Sequence, residues 1–131
     1  FSRIQITQNL SAVTAAAMLF RRDVFLEVAG LSEELPVAFN DVDFCLKVRR
    51  AGYRNLWTPY AKLYHHESVS RGQDTSGEKS LRFQKEVTLM LQKWGPELSK
   101  DPFYNPHLTL TEEDFGLSSD ETISDRISPL Y

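Results

Sequence analysis

An α/β domain with amphipathic helices packed on a few short strands is the fold class that the sequence predicts. Its 131 residues fit one domain, and 41% hydrophobic with 25% charged residues is ordinary globular usage, which excludes wholesale disorder. Helical patterns around residues 41–51 and 78–94 alternate with short β-like runs. Such alternation is typical of layered α/β folds, and we expect three layers.

The first half of the chain contains one predicted strand and two predicted helices. Residues 12–20 form an apolar run with the length of a buried strand, although its alanines leave a helix possible. A short helix is expected over residues 23–30, and Gly30 supplies its left-handed end. The segment 40–52 predicts a longer helix, since Asn40 is a favoured N-cap and two aspartates follow in the first turn.

The second half contains two β-like segments and one long helix. Asn55–Thr58 and Ala61–His65 are predicted strands, and the polar stretch 68–80 is a predicted loop. Apolar side chains at helical spacing predict an amphipathic helix over 78–94, which Gly95 and Pro96 should end.

Composition excludes several classes of partner and predicts one domain with a tail. Fifteen Lys and Arg against eighteen Asp and Glu give a net charge of −3, so no basic excess is present for nucleic-acid binding. The longest apolar run, Ala15 to Phe20, is too short to cross a membrane. One cysteine forms no internal disulfide.

We expect a domain over residues 1–110 and an acidic, Ser-rich tail over 111–131.

The Asn40-Asp41-Val42-Asp43 motif allows two interpretations from the residues alone. Its carboxylates can simply favour the positive end of a helix. Alternatively, a carboxylate at a loop-to-helix junction beside a sheet edge can act as a general base that takes a proton from a hydroxyl nucleophile. An unrelated α/β domain with helix-capping acids also fits this pattern.

Three further residues have side chains that could carry chemistry. A single histidine without a second ligand at metal-binding spacing is a weak metal motif, so His65 alone does not predict a metal site. Arg71 beside Gly72 in the polar loop is either a solvated surface residue or a clamp for a phosphate. Cys45 lies on the apolar side of its helix and is interpreted as a packing residue.

Three stretches in order resemble the C-terminal half of family 2 glycosyltransferases, which are inverting enzymes of the GT-A fold that use nucleotide-diphosphate sugars. They read VTAAAMLFRRDVF, AGLSEELPVAFNDVDFCLKVRRAGY and RNLWTPYAKLYHHESVSRG. The resemblance covers roughly residues 10–105 and includes a DP-x-YNP segment after the long helix. It implies a partial, three-layer GT-A fold that comprises the C-terminal half only.

The resemblance also implies roles for individual residues. Asp41 falls on the general base that deprotonates the acceptor hydroxyl, with Asn40 in place of the usual Glu. His65 falls on a ligand of the donor's metal ion, Mn²⁺ or Mg²⁺. Substrate binding is implied for Asn40, Asp43, Arg71 and Thr14, and Ala15 stands where many members have Gly.

The family's nucleotide-binding strands and Asp-x-Asp metal motif belong to an N-terminal half that this chain lacks. We therefore expect a piece of a longer enzyme of bacterial polysaccharide synthesis that is inactive alone. The expected partners are a nucleotide-diphosphate sugar, a hydroxyl acceptor and the missing half, in the cytoplasm or at the inner face of the membrane. An exposed sheet edge is expected to favour self-association. The alternative function is a noncatalytic binding or scaffold module that retains part of the same fold.

Overall fold

The computed structural model describes residues 5–64, 77–109 and 115–118. Regular elements among these residues follow in the order β1 (Gln8–Leu10), a 3₁₀ turn (Ala15–Ala17), α1 (Arg22–Glu27), α2 (Asn40–Arg50), β2 (Asn55–Trp57) and α3 (Gly77–Ser99). The two strands pair antiparallel, with Asn9 opposite Leu56. The described residues thus form a small mixed α/β structure with a two-stranded sheet, compatible with part of an α/β fold.

Helix α2 contributes to two separate apolar clusters, which lie on different sides of the helix. The first cluster contains one residue of α1, the residue that caps its C-terminus and two α2 residues, namely Val24, Val28, Phe44 and Val48. The second contains one loop residue, one α2 residue and two α3 residues, namely Leu35, Leu46, Met90 and Trp94. Because α2 packs on both sides, its position is fixed by most of the buried apolar surface of the described chain.

The segment before α1 runs antiparallel along α2 and does not form the predicted strand. Every fourth residue of the helix bonds every second residue of the segment: Arg49 Nη1 with Ser11 Oγ (2.8 Å), Cys45 Sγ with the Val13 amide (3.5 Å) and Asp41 Oδ2 with the Ala15 amide (3.1 Å). Four helical residues rise about 6 Å and two extended residues about 6.6 Å. Because these two distances are similar, successive residues of the segment meet successive turns of the helix.

The prediction of a buried strand over 12–20 is therefore wrong. Residues 15–17 are a 3₁₀ turn with exposed side chains, and Leu19 is 99% exposed. The three alanines adopt a turn because Thr14 caps it, accepting a hydrogen bond from the Ala16 amide. A short apolar run alone does not distinguish a strand from a helical segment.

The helices match the sequence patterns more closely than the strands do. Helix α1 occupies part of 23–30, and Gly30 is left-handed as predicted (φ 59°). A Cβ at Gly30 would lie 2.7 Å from Phe25 Cζ, so the close approach of the Phe25 ring also requires a residue without a side chain. Strand β2 lies within the predicted 55–58. Among the described residues, 61–64 are not a strand, and His65 lies outside that range.

Helix α3 continues past its predicted end. Gly95 and Pro96 were expected to stop it, but it extends to Ser99 with Pro96 inside. A proline inside a helix removes one hydrogen bond and crowds the preceding turn, and the helix ends three residues after Pro96. The chain divides into two compact units, Phe1–Gly95 and Pro96–Tyr131, whereas the predicted boundary at 110 stays a prediction.

The second unit contains a small bridge of its own. Leu108 pairs antiparallel with Leu117, and the Tyr104 hydroxyl donates to the Thr109 carbonyl at 2.7 Å. Of the predicted tail, residues 115–118 are described and the others lie outside the described ranges. No helix among the described residues has the length and apolar character to cross a membrane.

Candidate functional site

Asp41 lies in the first turn of α2 with its side chain partly exposed. Its Oδ1 accepts a hydrogen bond from the Val42 amide at 2.9 Å, and Oδ2 accepts one from the Ala15 amide at 3.1 Å. The first amides of a helix have no partner within the helix, so Asp41 satisfies one of them. A carboxylate has about four acceptor positions. The Val42 and Ala15 amides occupy one position on each oxygen, which leaves this carboxylate able to accept a further donor.

Ala15, the residue after Thr14, bonds Asp41 although 26 residues separate the two in sequence. The Thr14 hydroxyl caps the 3₁₀ turn by accepting a hydrogen bond from the Ala16 amide at 3.3 Å. Thr14 itself is exposed. The turn that Thr14 caps therefore lies against the predicted general base, Asp41. We call Thr14, Asn40 and Asp41 the acidic junction.

The start of α2 differs from the sequence prediction by one residue. Phe39, and not Asn40, is the N-cap, and it adopts a left-handed backbone (φ 61°) without a side-chain cap. Asn40 is the first helical residue, so its side chain does not cap the helix. A left-handed bulky residue costs about 1–2 kcal/mol and persists only where surrounding contacts hold it. The acidic junction therefore follows directly on a strained residue.

Asp43 has a different environment from Asp41. Its side chain is 0% exposed, and its oxygens contact donors from the loop before α2 and from α3, namely Ser32 Oγ (2.6 Å), Lys93 Nζ (2.7 Å) and Trp94 Nε1 (2.8 Å). Lys47, one turn further along α2, adds an ion pair at 3.4 Å. Burial raises the pKa of the Asp43 carboxyl, but hydrogen bonds from Lys93, Ser32 and Trp94 outweigh it and hold the pKa below its usual value. This geometry is that of a structural carboxylate.

Cys45 lies one helical turn below the acidic junction and is 1% exposed. Its Sγ lies 3.5 Å from the Val13 amide and 3.7 Å from the Val13 carbonyl. Burial raises the pKa of this thiol, which makes it a poor nucleophile and metal ligand. Its surroundings agree with the packing role expected from the sequence.

The predicted metal ligand and the predicted phosphate clamp cannot be placed. His65 and Arg71 both lie outside the described residues. Within residues 5–64, 77–109 and 115–118, no three His, Cys, Asp or Glu side chains converge in a way that would hold a metal ion. The described part of the chain therefore supplies no complete ligand set for Mn²⁺ or Mg²⁺.

Sequence reasoning missed the α3 residues that support the N-terminal part of α2. Lys93 and Trp94 bind Asp43, and Glu86 accepts the Ala38 amide immediately before the left-handed residue. The amphipathic pattern of α3 marked Trp94 as buried, but nothing local indicated its partner, which is 51 residues away. A buried Glu on the apolar face of a predicted helix was the available signal for Glu86.

Comparison with known proteins gives three informative relatives. An uncharacterized protein of Sinorhizobium fredii, y4gI, is 54% identical over 120 residues, which are 91% of this chain. The O-antigen biosynthesis protein RfbC of Myxococcus xanthus is 37% identical over 119 residues, or 89% of the chain. An N-acetylglucosaminyl-diphospho-decaprenol L-rhamnosyltransferase of Mycobacterium tuberculosis is 31% identical over 62 residues, or 47% of the chain.

The chain spans only 13%, 9% and 20% of the lengths of these relatives, respectively. No protein-family model matches the chain. No solved structure matches it either. The names of the second and third relatives indicate a glycosyltransferase-like relationship for this sequence.

Proposed function

We propose that this chain is the C-terminal, acceptor-side part of an inverting glycosyltransferase of family 2 and GT-A type. The observation that carries the proposal is the placement of Asp41, a partly exposed carboxylate held by two backbone amides from different segments. Support also comes from relatives named for O-antigen biosynthesis and rhamnosyl transfer. The reaction moves a sugar from a nucleotide-diphosphate donor to an acceptor hydroxyl.

Asp41 acts as the general base in this proposal. The acceptor oxygen attacks the anomeric carbon, its proton passes to the Asp41 carboxylate, and the bond to the diphosphate breaks with its electron pair on the leaving group. A base needs an accessible acceptor position and a fixed orientation. The partial exposure of Asp41 supplies the first, and the Ala15 and Val42 amides supply the second.

Thr14 and Asn40 are proposed to contact the acceptor, since they lie at the acidic junction with Asp41. Arg71 is proposed to contact the diphosphate, where a guanidinium matches the geometry of phosphate oxygens. The substrate contact predicted for Asp43 is left out because its side chain is buried among four donors.

His65 is proposed as one ligand of a divalent ion, Mn²⁺ or Mg²⁺, whose other ligands come from outside the described residues. Such an ion would neutralise charge on the leaving diphosphate. The missing N-terminal half would supply the donor site, so the chain alone is proposed to be inactive. A cytoplasmic location or one at the inner face of the membrane suits a nucleotide-sugar enzyme, and the open sheet edges suit pairing with that half or with a second copy.

Replacement of Asp41 tests the proposal. In the complete reading frame that contains this chain, Asp41→Asn should lower turnover by about 10²-fold or more, because general-base catalysis contributes about 10²–10⁴-fold. Release of nucleotide diphosphate from a panel of sugar donors measures turnover, and titration with the nucleotide diphosphate should show unchanged affinity.

Asp23→Asn is the matched control, since Asp23 is an exposed aspartate in the first turn of α1. It should keep wild-type turnover. Full turnover in Asp41→Asn would remove Asp41 from the role of base. A complete protein that transfers no sugar from any donor in the panel would instead favour the noncatalytic module.

A further inference from the structure

We propose that Glu86 of α3 is a positioning residue that aims Asp41, acting through the left-handed turn at Ala38 and Phe39. The claim that Glu86 affects catalysis rests on the proposed function of Asp41. The claim that Glu86 fixes the position of Asp41 rests only on the contacts of Glu86. Glu86 touches no residue of the acidic junction itself.

Glu86 is a buried acid with an uneven set of partners. Its side chain is 3% exposed, and Oε2 accepts a hydrogen bond from the Ala38 amide, 48 residues away in sequence. Oε1 lies 3.5 Å from Arg82 Nε without hydrogen-bond geometry, and no other partner among the described residues bonds it. Burial of a carboxylate is costly, so this placement requires a compensating contact. Arg82 offsets part of the charge as an ion pair, and the hydrogen bond that compensates is the one from the Ala38 amide, in the loop before α2.

A second contact of α3 reaches the next residue of the same loop. The Phe83 and Phe39 rings lie 5.5 Å apart between centroids, in a tilted arrangement. Phe83 and Glu86 are three residues apart and so share one face of α3. Together they hold two consecutive residues, Ala38 through its amide and Phe39 through its ring.

The held residues determine where α2 starts. The Phe39 carbonyl accepts the Asp43 amide at 2.8 Å, the first bond of the helix, from a backbone at φ 61°. Loss of the Glu86 bond would let this residue relax toward an ordinary backbone conformation and would rotate the first turn. Asp41 is two residues further on, so its carboxylate would leave the Ala15 amide.

The first part of the test measures positioning without any reaction. Amide hydrogen exchange of the 131-residue chain should show faster exchange in Glu86→Ala at Ala38 and at Ala15, the amide that reports on Asp41. Glu86→Gln keeps an acceptor oxygen for Ala38 and should restore slow exchange at both amides. Val24→Ala, a cavity variant in the other apolar cluster, controls for general loss of stability and should leave both amides protected relative to the rest of the chain.

The second part measures turnover in the complete protein. Glu86→Ala should lower kcat about 10-fold with KM for the donor within about 2-fold, and Glu86→Gln should recover most of kcat, since misplacement of a catalytic group by about 1 Å can cost up to about 10²-fold. Unchanged exchange at Ala15 in Glu86→Ala, or a fall in kcat no larger than in Val24→Ala, would overturn the proposal. Failure of the proposed function is separate, because it is read from Asp41→Asn and leaves the exchange result intact.

Discussion

The two sides of the first turn of α2 carry the same residue type in opposite environments. Asp41 and Asp43 are two residues apart, and two residues correspond to about 200° around a helix. Asp41 is partly exposed and holds two backbone amides, whereas Asp43 is fully buried and holds four side-chain donors. The difference teaches that the face of the helix, and not the acidic motif, separates a candidate catalytic carboxylate from a structural one.

The largest effect on stability is expected where the buried carboxylate is removed. Asp43→Ala leaves Lys47 and Lys93 without their anion, and breaking a buried pair by removing one partner costs about 3–5 kcal/mol. Since Lys93 is 31% exposed and can turn to solvent, we expect about 3 kcal/mol. Urea unfolding of the chain measures this change. Asp23→Ala, which removes an exposed acid paired with Arg21, should shift the midpoint far less, and equal shifts would contradict the contrast.

A smaller effect is expected from removing a single donor to the buried carboxylate. Trp94→Phe keeps an aromatic ring beside Arg50, which lies 4.2 Å from the ring centroid, but it deletes the Nε1 donor. A hydrogen bond to a charged group contributes about 1.5–3 kcal/mol, so we expect a loss of about 2 kcal/mol. In a double-mutant cycle with Asp43→Asn, the two changes should be less than additive. Additive losses would mean that Trp94 and Asp43 act independently.

The smallest stability effect is expected from pH. The folded pKa of Asp43 lies below its unfolded value, so its contribution is complete above the unfolded pKa and is lost as pH falls through the folded pKa. Burial opposes the hydrogen bonds, which limits the net change. Urea unfolding between about pH 5 and about pH 2 should therefore show a steeper loss for the wild type than for Asp43→Asn. Parallel curves would show that another group dominates acid unfolding.

The parts of the fold that local signals determine could be predicted from the sequence. Helix α2 was predicted from Asn40 and the two aspartates that follow it, and the structure has a helix from Asn40 to Arg50. The segment 12–20 was not, because its extended path depends on contacts with α2 and not on its own composition. The left-handed Phe39 is unfavourable locally, and its contacts with α3, like those of Ala38, join residues more than 40 positions apart.

The candidate site shows the same division. Asp41 and Thr14 were named from the resemblance, and the structure places the turn that Thr14 caps against Asp41. Asp43 was predicted to bind substrate beside Asp41, because the sequence near Asp43 does not indicate its donors Lys93 and Trp94, which are about 50 residues away. The roles of His65 and Arg71 stay predictions.

The most direct measurement compares Asp41→Asn with Asp43→Asn in the complete protein, recording turnover and urea midpoint for both. The account predicts that Asp41→Asn loses about 10²-fold or more in turnover at nearly wild-type stability. It predicts that Asp43→Asn loses stability while the folded fraction keeps its turnover within about 10-fold, since the carboxylate acts through the fold. Turnover retained in Asp41→Asn and abolished in a folded Asp43→Asn would contradict the assignment of the two carboxylates.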